Sequence, residues 1–224
     1  MSMLSNIELL LRVPLFSTMT AEQADVVAKA VTKQRFKRAE IIVEQGRKSN
    51  TLFIVLSGRA RVLTTDSRGR EVILATLQVG DYVGEMSLID NEPHSATVQT
   101  EMPTDCLVLG RAEFEHCLDG NTAMARAVMG GLVKRLRRAD QKIESLALMD
   151  VYGRVAHVLL EAATPNADGQ MVIRDKISRQ DVAKMVGASR EMVSRVMKDL
   201  EERGYIHGHD NGSTHIRSVL GSLT

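Results

Sequence analysis

The sequence predicts an α+β protein in three parts: a β-rich N-terminal part, one long helix and a C-terminal helix-turn-helix. Residues 39–110 contain short β-rich runs separated by Gly, Ser, Asp and Asn turns. From about Thr122, apolar residues recur at steps of three and four, as in a long helix. Residues 177–206 read as two short helices joined by a glycine. We place the parts at residues 1–120, 121–149 and 150–224.

Length, composition and charge limit the kinds of protein this chain can be. Its 224 residues suffice for one large domain or two small ones. A hydrophobic fraction of 44% and a charged fraction of 25% are ordinary for a globular soluble protein. Because the net charge is only +1, any contact with nucleic acid has to come from a local basic patch. Such a patch lies in the C-terminal third: Arg174, Lys176, Arg179, Lys184, Arg190, Arg195 and Lys198.

The two cysteines, Cys106 and Cys117, have no CxxC spacing. This argues against a disulfide-built secreted fold and against a zinc or iron-sulfur site, so we expect no metal and no resident cofactor. Cys106 falls in a predicted core strand, where a thiol acts as a small apolar filler. The run IELLLRVPLF is broken by Arg12 and Pro14 and is too short to span a membrane. We therefore expect no membrane contact and a cytoplasmic location.

The N-terminal part begins with helical patterns and then changes to strand patterns. Residues 5–32 read as short helices, with Thr20 as the N-cap of AEQADVVAKAV. The predicted strands are EIIVEQG, TLFIVLSG, ARVLTT, EVILATL, SATVQT and CLVLG. Several short strands at this spacing indicate a β-sandwich or barrel.

The long helix carries an apolar seam with a heptad-like repeat. Its members are Val128, Leu132, Leu136, Ala139, Ile143 and Leu146, and the flanking cations are Arg135, Arg137, Arg138 and Lys142. A seam with wet, charged flanks is typical of a two-stranded coiled coil, so we expect a homodimer. The alternative is a long helix that buries this stripe against its own domain.

In the C-terminal part, Ser178 is a plausible N-cap, Gly187 ends the first helix and Ser189 starts the second. The predicted buried stripe of the second helix is Met192, Val193, Val196, Met197 and Leu200. The remaining faces carry Arg190, Glu191, Ser194, Arg195 and Lys198.

This polar edge suits the major groove of DNA, where the second helix of a helix-turn-helix places its N-terminal residues against base edges. Arg can bond guanine in a bidentate way, and Glu can accept from cytosine. The predicted DNA-binding residues are Arg179, Gln180, Ser189, Arg190, Glu191, Ser194, Arg195 and Lys198. Because such readers usually work as symmetric pairs, the expected partner is palindromic double-stranded DNA. The alternative is an ordinary solvated amphipathic helix.

The stretch VGASREMVSRVMKDLE resembles the recognition region of the cyclic AMP receptor protein and Fnr superfamily of bacterial transcription regulators. The similarity includes Arg190, Glu191 and Arg195, and it extends over nearly the whole chain. It implies a cyclic-nucleotide-binding-like β-roll, a long dimerisation helix and a C-terminal winged helix-turn-helix. It also implies TGTGA-like half-sites and a contact between residues 164–170 and RNA polymerase.

A second resemblance concerns the effector site. VGEMSLIDNEPHSATV is similar to the phosphate-binding cassette of cyclic-nucleotide domains, and Gly46 and Gly58 fall at turn glycines of that family. Gly84 permits a sharp turn. Glu85 is suited to accept a ribose 2′-hydroxyl, and backbone amides from Met86 through Ser87 to Leu88 can face a phosphate. We therefore expect a small-molecule nucleotide effector.

At one position the cassette departs from the family pattern. His94 stands before Ser95, where the family has an Arg that neutralises the cyclic phosphate. Because His is largely neutral and offers one donor to a given oxygen, phosphate affinity should fall. His94 is either a weak phosphate contact or a surface-loop histidine with no role in binding.

A further departure lies on the long helix, where Ala139 and Asp140 replace a Thr and Ser pair that holds adenine. Asp140 can accept hydrogen bonds from guanine N1–H and N2–H. With Arg135, Arg137 and Arg138 nearby, this suggests cyclic di-GMP beside cyclic AMP and cyclic GMP as candidate effectors. The alternative is an exposed helix face with intrahelical ion pairs.

Residues that would suggest catalysis do not converge, so we expect no enzyme. The six histidines are scattered, without HExxH spacing or a nucleophile elbow. His207, His209 and His215 flank a Gly-rich turn that we interpret as the wing on the DNA backbone, a transition-metal site being the alternative. We predict an effector-controlled DNA-binding regulator. The rivals are a ligand-independent repressor and a cyclic-nucleotide-regulated enzyme subunit, and the helix-turn-helix argues against the latter.

Overall fold

A computed structural model of the chain describes residues 13, 15–17, 19–119, 121–209, 212–217 and 220–221. The chain divides into two compact units, Met1–Arg135 and Leu136–Thr224. The predicted α+β architecture is confirmed: a β-rich N-terminal unit, a long helix and a C-terminal helix-turn-helix. The boundary between the units lies within the long helix, so the three-part division at residues 120 and 149 stays a prediction.

The first unit contains eight strands and three helices in the part of the chain that the structure describes, followed by the long helix. In chain order they are α1 (Ala21–Ala30), β1 (Thr32–Phe36), β2 (Ile41–Val43), β3 (Thr51–Ser57), β4 (Ala60–Thr65), β5 (Glu71–Leu77), β6 (Tyr82–Val83), α2 (Glu85–Asp90), β7 (Thr97–Thr100), β8 (Thr104–Gly110), α3 (Arg111–Asp119) and α4 (Thr122–Leu148).

The strands form two four-stranded antiparallel sheets with the orders β1-β8-β3-β6 and β2-β7-β4-β5. β3 is buried on both faces because its side chains alternate between two cores. Phe53 and Val55 join residues of both sheets in one core, while Leu52 and Ile54 pack with the helices in another. This double burial explains why TLFIVLSG reads as a continuous apolar run.

Both cysteines lie in the interior of this unit. Cys106 on β8 is fully buried, and burial together with Asp105 raises the pKa of its thiol to about 12. Burial and Glu113 raise the pKa of the Cys117 thiol to about 11. The prediction that Cys106 is an apolar core filler is confirmed.

Local signals place several of these elements correctly. Thr20 caps α1, accepting from the Gln23 backbone at 3.3 Å while the Gln23 side chain accepts from the Thr20 backbone at 3.0 Å. Gly46 and Gly58 adopt left-handed φ angles of 79° and 89°, as expected of turn glycines. The helices expected before residue 13 lie outside the described residues. The strand β1 and the helix α3 have no counterpart in the sequence prediction.

The second unit is a helix-turn-helix with a small sheet. Its elements after α4 are α5 (Val151–Ala162), β9 (Thr164–Pro165), β10 (Met171–Ile173), α6 (Arg179–Val186), α7 (Arg190–Glu202), β11 (Ile206–Gly208) and β12 (Thr214–Ile216). The four strands pair antiparallel in the order β11-β12-β10-β9. Side chains from α5, α6 and α7 fill one core, including Leu159, Val182, Val193 and Leu200.

The apolar seam of α4 changes character along the helix. Val128 is buried, and Leu132 packs beside it against the helical core of the first unit. Leu136 is 62% exposed, Ile143 64% and Leu146 49%. The alternative that the whole stripe packs against its own domain is therefore wrong for these three residues. No helix within the described residues has the length and apolar character needed to cross a membrane.

Candidate functional site

The helix-turn-helix is built from two capped helices. The hydroxyl of Ser178 accepts from the backbone N–H of Asp181 at 3.0 Å and starts α6. Gly187 ends α6 in the left-handed conformation, with φ of 66°. The hydroxyl of Ser189 accepts from the N–H of Met192 at 3.2 Å and starts α7. The three sequence signals for this motif are confirmed.

The faces of α7 separate a core side from a solvent side. Val193, Val196 and Leu200 are buried against α5 and α6, as predicted. Met192 is a correction to the predicted buried stripe: it is 46% exposed. Its position next to Glu191 on the first turn places it beside the polar edge instead of in the core.

The residues predicted to bind DNA lie on accessible positions. Exposed members are Arg179, Gln180, Ser189, Arg190, Glu191, Arg195 and Lys198, and Ser194 is half-buried. Ser189 already uses its hydroxyl as the helix cap, which leaves it less free to read a base. Lys198 lies 3.6 Å from Glu202, an exposed pair one turn apart. Contact of this set with DNA stays a prediction.

Glu191 is held in its ionised form. A hydrogen bond from its own backbone N–H lowers the pKa of this carboxyl, and the Ser189 hydroxyl, Arg190 and Arg195 add to the effect. An ionised carboxylate only accepts hydrogen bonds. The first two turns of α7 thus present one acceptor, Glu191, and two guanidinium donors, Arg190 and Arg195.

The predicted wing is the hairpin of β11 and β12, in which His207 lies opposite His215. The ring centroids of His209 and His215 are 4.4 Å apart, and those of His207 and His209 are 4.9 Å apart. Within the described residues, no group of three or more His, Cys, Asp or Glu is placed to hold a metal ion. The metal alternative therefore gains no support from this cluster.

The cassette begins at a strained turn. Gly84 has φ of 101°, and a β-carbon there would overlap the carbonyl oxygen of Thr51. α2 follows directly, and the N–H of Leu88 donates to the Gly84 carbonyl at 3.2 Å. This corrects one expectation, because the Leu88 amide is used inside the helix. The amides of Met86 and Ser87 precede the first intrahelical bond.

Glu85 is the buried carboxylate of this site, with 0% of its surface exposed. Its Oε1 accepts from Arg135 Nη1 at 2.6 Å, whereas its Oε2 is buried without a partner among the described residues. Burial raises the pKa of Glu85, and the Arg135 guanidinium partly opposes this. The Oε2 atom of Glu85 is thus a buried hydrogen-bond acceptor without a partner among the described residues.

Arg135 is a further correction, because it does not lie on a solvated flank of the long helix. Besides Glu85, it donates to the carbonyl of Tyr82, and its guanidinium lies 5.1 Å from the centroid of the Tyr82 ring. Arg135 therefore ties α4 to the cassette within the first unit. The same correction applies to Lys142, which is half-buried, and burial lowers the pKa of its ammonium while Glu161 opposes this.

His94 is 8% exposed, so its interpretation as a surface-loop histidine is wrong. Its Nδ1 lies 3.1 Å from Ser87 Oγ and its Nε2 lies 2.8 Å from Ser49 Oγ. Burial lowers the pKa of the imidazole. Ser95, the next residue, is exposed. A phosphate contact from His94 stays a prediction, and Ser49 is a member of this network that the sequence did not indicate.

Arg111 is a positioning residue that sequence reasoning missed. It donates to the carbonyls of Ser87 at 2.9 Å and Leu88 at 2.7 Å, in the last turn of α2. Its Nε also donates to Asn50 Oδ1 at 3.1 Å. The guanidinium therefore fixes the short helix to the start of α3. The available signal was an Arg directly after the strand run CLVLG.

Asp140, Arg137 and Arg138 are exposed on α4. Asp140 belongs to the second unit, whereas the cassette belongs to the first. The guanine-binding role of Asp140 stays a prediction.

Comparison with known proteins finds the same two modules. Residues 33–121 match the cyclic nucleotide-binding domain, and residues 153–219 match the Crp-like helix-turn-helix domain. The chain is 33% identical over 184 residues to the cAMP-activated global transcriptional regulator Vfr of Pseudomonas aeruginosa, covering 78% of this chain and 85% of Vfr. The chain belongs to the Crp/Fnr superfamily of bacterial transcription regulators.

Other Crp/Fnr proteins extend this comparison. The cAMP-activated global transcriptional regulator CRP of Salmonella typhimurium is 32% identical over 181 residues, covering 78% of this chain and 85% of that one. The c-di-GMP responsive regulator CLP of Xanthomonas campestris shares the fold, with a TM-score of 0.73 at 23% identity over 88% of this chain and 98% of CLP. FixK2 of Bradyrhizobium japonicum does so with a TM-score of 0.75 at 23% identity, covering 86% and 96%. This Crp/Fnr chain is a DNA-binding transcription regulator with a cyclic nucleotide-binding domain.

Proposed function

We propose that the chain is a homodimeric, sequence-specific transcription regulator whose DNA binding is controlled by a nucleotide second messenger. The observation that carries this proposal is the exposed edge of α7. The buried face of α7 is fixed in the core, and its exposed face carries Arg190, Glu191 and Arg195. A rigidly held helix with donors and an acceptor on its first turns is suited to the major groove.

The proposed DNA site is a palindrome with TGTGA-like half-sites. Arg190 and Arg195 supply guanidinium groups for guanine O6 and N7, and the ionised Glu191 supplies an acceptor for cytosine N4. Each good pair discriminates against a wrong base by about 1 to 3 kcal/mol. Arg179 and Gln180, on the first turn of α6, are assigned to the DNA backbone.

The proposed dimer forms through α4. Leu136, Ile143 and Leu146 are large apolar side chains that stay exposed on a single chain, at coiled-coil spacing. Pairing two such helices removes this surface from water and relates the two α7 helices by a two-fold axis. Half-sites one DNA turn apart, about 34 Å, then match the symmetry of the protein.

The proposed effector is a cyclic nucleotide bound at the cassette. The unpartnered Oε2 of Glu85 is an acceptor for a ribose hydroxyl, and the amides of Met86 and Ser87 are donors for the phosphate. Vfr and CRP are cAMP-activated, whereas CLP is c-di-GMP responsive. These relatives make cyclic AMP and cyclic di-GMP candidates. Asp140 can accept from guanine N1–H and N2–H, which adds cyclic GMP and favours the two guanine ligands.

Control follows from linkage. An effector that binds one arrangement of the dimer more tightly than another shifts the population toward that arrangement, and so changes the spacing of the recognition helices. The sign of the effect depends on which arrangement matches the operator.

RNA polymerase is the proposed protein partner, through the exposed turn at residues 164–170. Asn166 orders this turn, its Oδ1 accepting from the backbone N–H of Asp168 at 3.0 Å and of Gln170 at 2.8 Å. An ordered, exposed turn presents a constant surface to a partner.

One observation favours a second candidate, a ligand-independent regulator with a structural N-terminal domain. Both ring nitrogens of His94 are engaged by serine hydroxyls, and the position lacks the permanent charge of an arginine. A cassette closed in this way would bind phosphate weakly.

Fluorescence anisotropy of a labelled TGTGA palindrome tests the proposal. Protein is titrated alone and with cyclic AMP, cyclic GMP or cyclic di-GMP at fixed salt, against a scrambled duplex as control. If one of the three cyclic nucleotides shifts the binding curve, effector control is supported and the effector is identified. Tight binding that ignores all three supports the ligand-independent candidate. Equal binding to both duplexes contradicts the assigned base reading.

A further inference from the structure

We propose that His94 makes the affinity of the effector site for a nucleotide phosphate depend on pH, because its ring takes up a proton when the anion binds. The inference deepens the proposed function and rests on the cassette being an effector site. It identifies proton concentration as a second input to the same site.

The position of the ring is fixed from several sides. The backbone N–H of His94 donates to the Arg47 carbonyl at 2.8 Å, and its own carbonyl accepts from the Gly46 N–H at 2.9 Å. The imidazole lies between two hydroxyls, with Nε2 2.8 Å from Ser49 Oγ and Nδ1 3.1 Å from Ser87 Oγ. The network therefore joins the turn after β2 to the first turn of α2.

The protons of this network can be counted. A neutral imidazole has one N–H donor and one acceptor nitrogen, so one serine has to donate its hydroxyl proton to the ring. A charged imidazole donates from both nitrogens, and both serine hydroxyls become free to donate elsewhere. One added proton thus supplies a positive charge and releases one hydroxyl donor. The added charge favours an anion beside Ser87 whichever serine donates to the neutral ring.

A cavity borders His94 on the side of the turn after β2. His94 and Ser49 line a cavity of about 460 Å³ together with Glu44, Arg47 and Lys48. Glu44 is paired with Arg47 at 3.2 Å, and Glu85 on α2 is paired with Arg135. The other charged groups on these elements are Lys48 on the turn and the exposed Asp90 on α2, and Arg111 of α3 donates to the Ser87 carbonyl. Glu44 and Glu85 are each matched by a guanidinium.

The sign follows from burial. Because burial lowers the pKa of His94, the ring is neutral in the ligand-free protein at neutral pH. A bound phosphate favours the charged ring and so raises its pKa, and binding then takes up a proton. Affinity should rise as the pH falls through the interval between these two pKa values. Acid has the opposite effect on the ligand-free fold, since the unfolded chain takes up the proton more readily.

Isothermal titration calorimetry of the full-length protein with cyclic AMP, cyclic GMP and cyclic di-GMP, at about pH 6 and about pH 8, tests this. We expect tighter binding at the lower pH, by up to about tenfold per pH unit, the limit for one linked proton. Repeating the titration in buffers of different ionisation enthalpy should show uptake of a fraction of one proton per nucleotide.

Three variants separate the outcomes. His94→Gln should bind weakly with no pH dependence, and His94→Arg should bind more tightly with no pH dependence, because its charge is permanent. His116→Gln, which changes an exposed histidine on α3, should keep the wild-type dependence. Wild-type affinity that is independent of pH, or a dependence that persists in His94→Gln, overturns the inference and leaves the effector site standing. If neither the wild type nor His94→Arg binds any of the nucleotides, the inference and the proposed effector site are both wrong.

Discussion

The hydroxyl group of Tyr82 occupies the space that a β-carbon on Gly131 of α4 would need. That hydroxyl is buried without a partner among the described residues. Gly131→Ala should therefore displace the tyrosine or the helix and destabilise the first unit by about 1 to 3 kcal/mol, as overpacking does. Urea unfolding measures the change.

The neighbouring glycine provides the control. A β-carbon on Gly130 would meet nothing within 4 Å, so Gly130→Ala should stabilise the protein by about 0.5 to 1 kcal/mol. Adding Tyr82→Phe to Gly131→Ala removes the overlapping oxygen and should restore part of the loss. Equal effects of the two alanine substitutions would contradict the steric argument.

Base reading by α7 predicts a change in specificity. Arg190→Ala should weaken binding to the TGTGA palindrome by about 1 to 3 kcal/mol while leaving binding to random DNA almost unchanged. Competition anisotropy with both duplexes measures the difference. Arg68→Ala, an exposed change in the turn between β4 and β5, serves as the control for net charge. Equal losses on specific and random DNA would assign Arg190 to the phosphate backbone instead.

The two hydrogen bonds from Arg111 to the carbonyls of Ser87 and Leu88, which we call the α2 clamp, predict a role for Arg111 in effector affinity. Arg111→Ala removes the donors to the Ser87 and Leu88 carbonyls, so the cassette helix should lose order and nucleotide affinity should fall about tenfold or more. Hydrogen exchange of the α2 amides, measured beside affinity, tests the cause. Arg111→Lys should recover part of the affinity, and exposed Arg38→Ala should change neither quantity. Unchanged α2 exchange in Arg111→Ala would refute the clamp.

In the second unit, Tyr152 donates to Asp199 Oδ2 at 2.8 Å, and Arg203 lies 2.9 Å from the same oxygen. The tyrosine hydrogen bond is the main cause that lowers the pKa of Asp199 below its ordinary 3.8, and Arg203 adds to it. The resulting stabilisation is present above that value and is lost as the pH falls through the lowered pKa.

Tyr152→Phe should therefore raise the pKa of Asp199 toward its ordinary value and make acid unfolding of this unit less steep. Carboxyl-carbon NMR titration of Asp199 measures the first effect, and unfolding followed at several acidic pH values measures the second. Arg203→Ala should produce a smaller rise. A pKa that is the same in wild type and Tyr152→Phe would show that the hydrogen bond is not formed in solution.

Much of the fold was predictable because its signals are local. Thr20, Ser178, Gly187 and Ser189 act on backbone groups within a few residues, so each marks a helix end without knowledge of the rest of the chain. β1 was not predicted because Phe36 is its sole buried side chain, and the strand depends on pairing with β8. A polar edge strand carries no alternation to detect.

The position of the cassette was predictable from the sequence, but its side-chain contacts were not. The sequence pointed to Glu85 and His94, yet Glu85 pairs with Arg135 and His94 with Ser49, which lie far away in the chain. Arg111, also distant in the chain, holds the carbonyls of α2. Such contacts depend on the packing of several elements, which spacing does not encode. For the same reason Arg135 was expected on a solvated flank of the long helix, although its guanidinium forms an ion pair with the buried carboxylate of Glu85.

The chemistry of the two thiols has a practical consequence for spectroscopy. The pKa values of Cys106 and Cys117, about 12 and about 11, leave almost no thiolate at neutral pH, and both side chains are buried. A cysteine introduced at an exposed position such as Ala167 or Arg137 would therefore be alkylated selectively, with both native cysteines kept. Spin labels or fluorophores placed in this way can report distances in a protein whose core is unaltered.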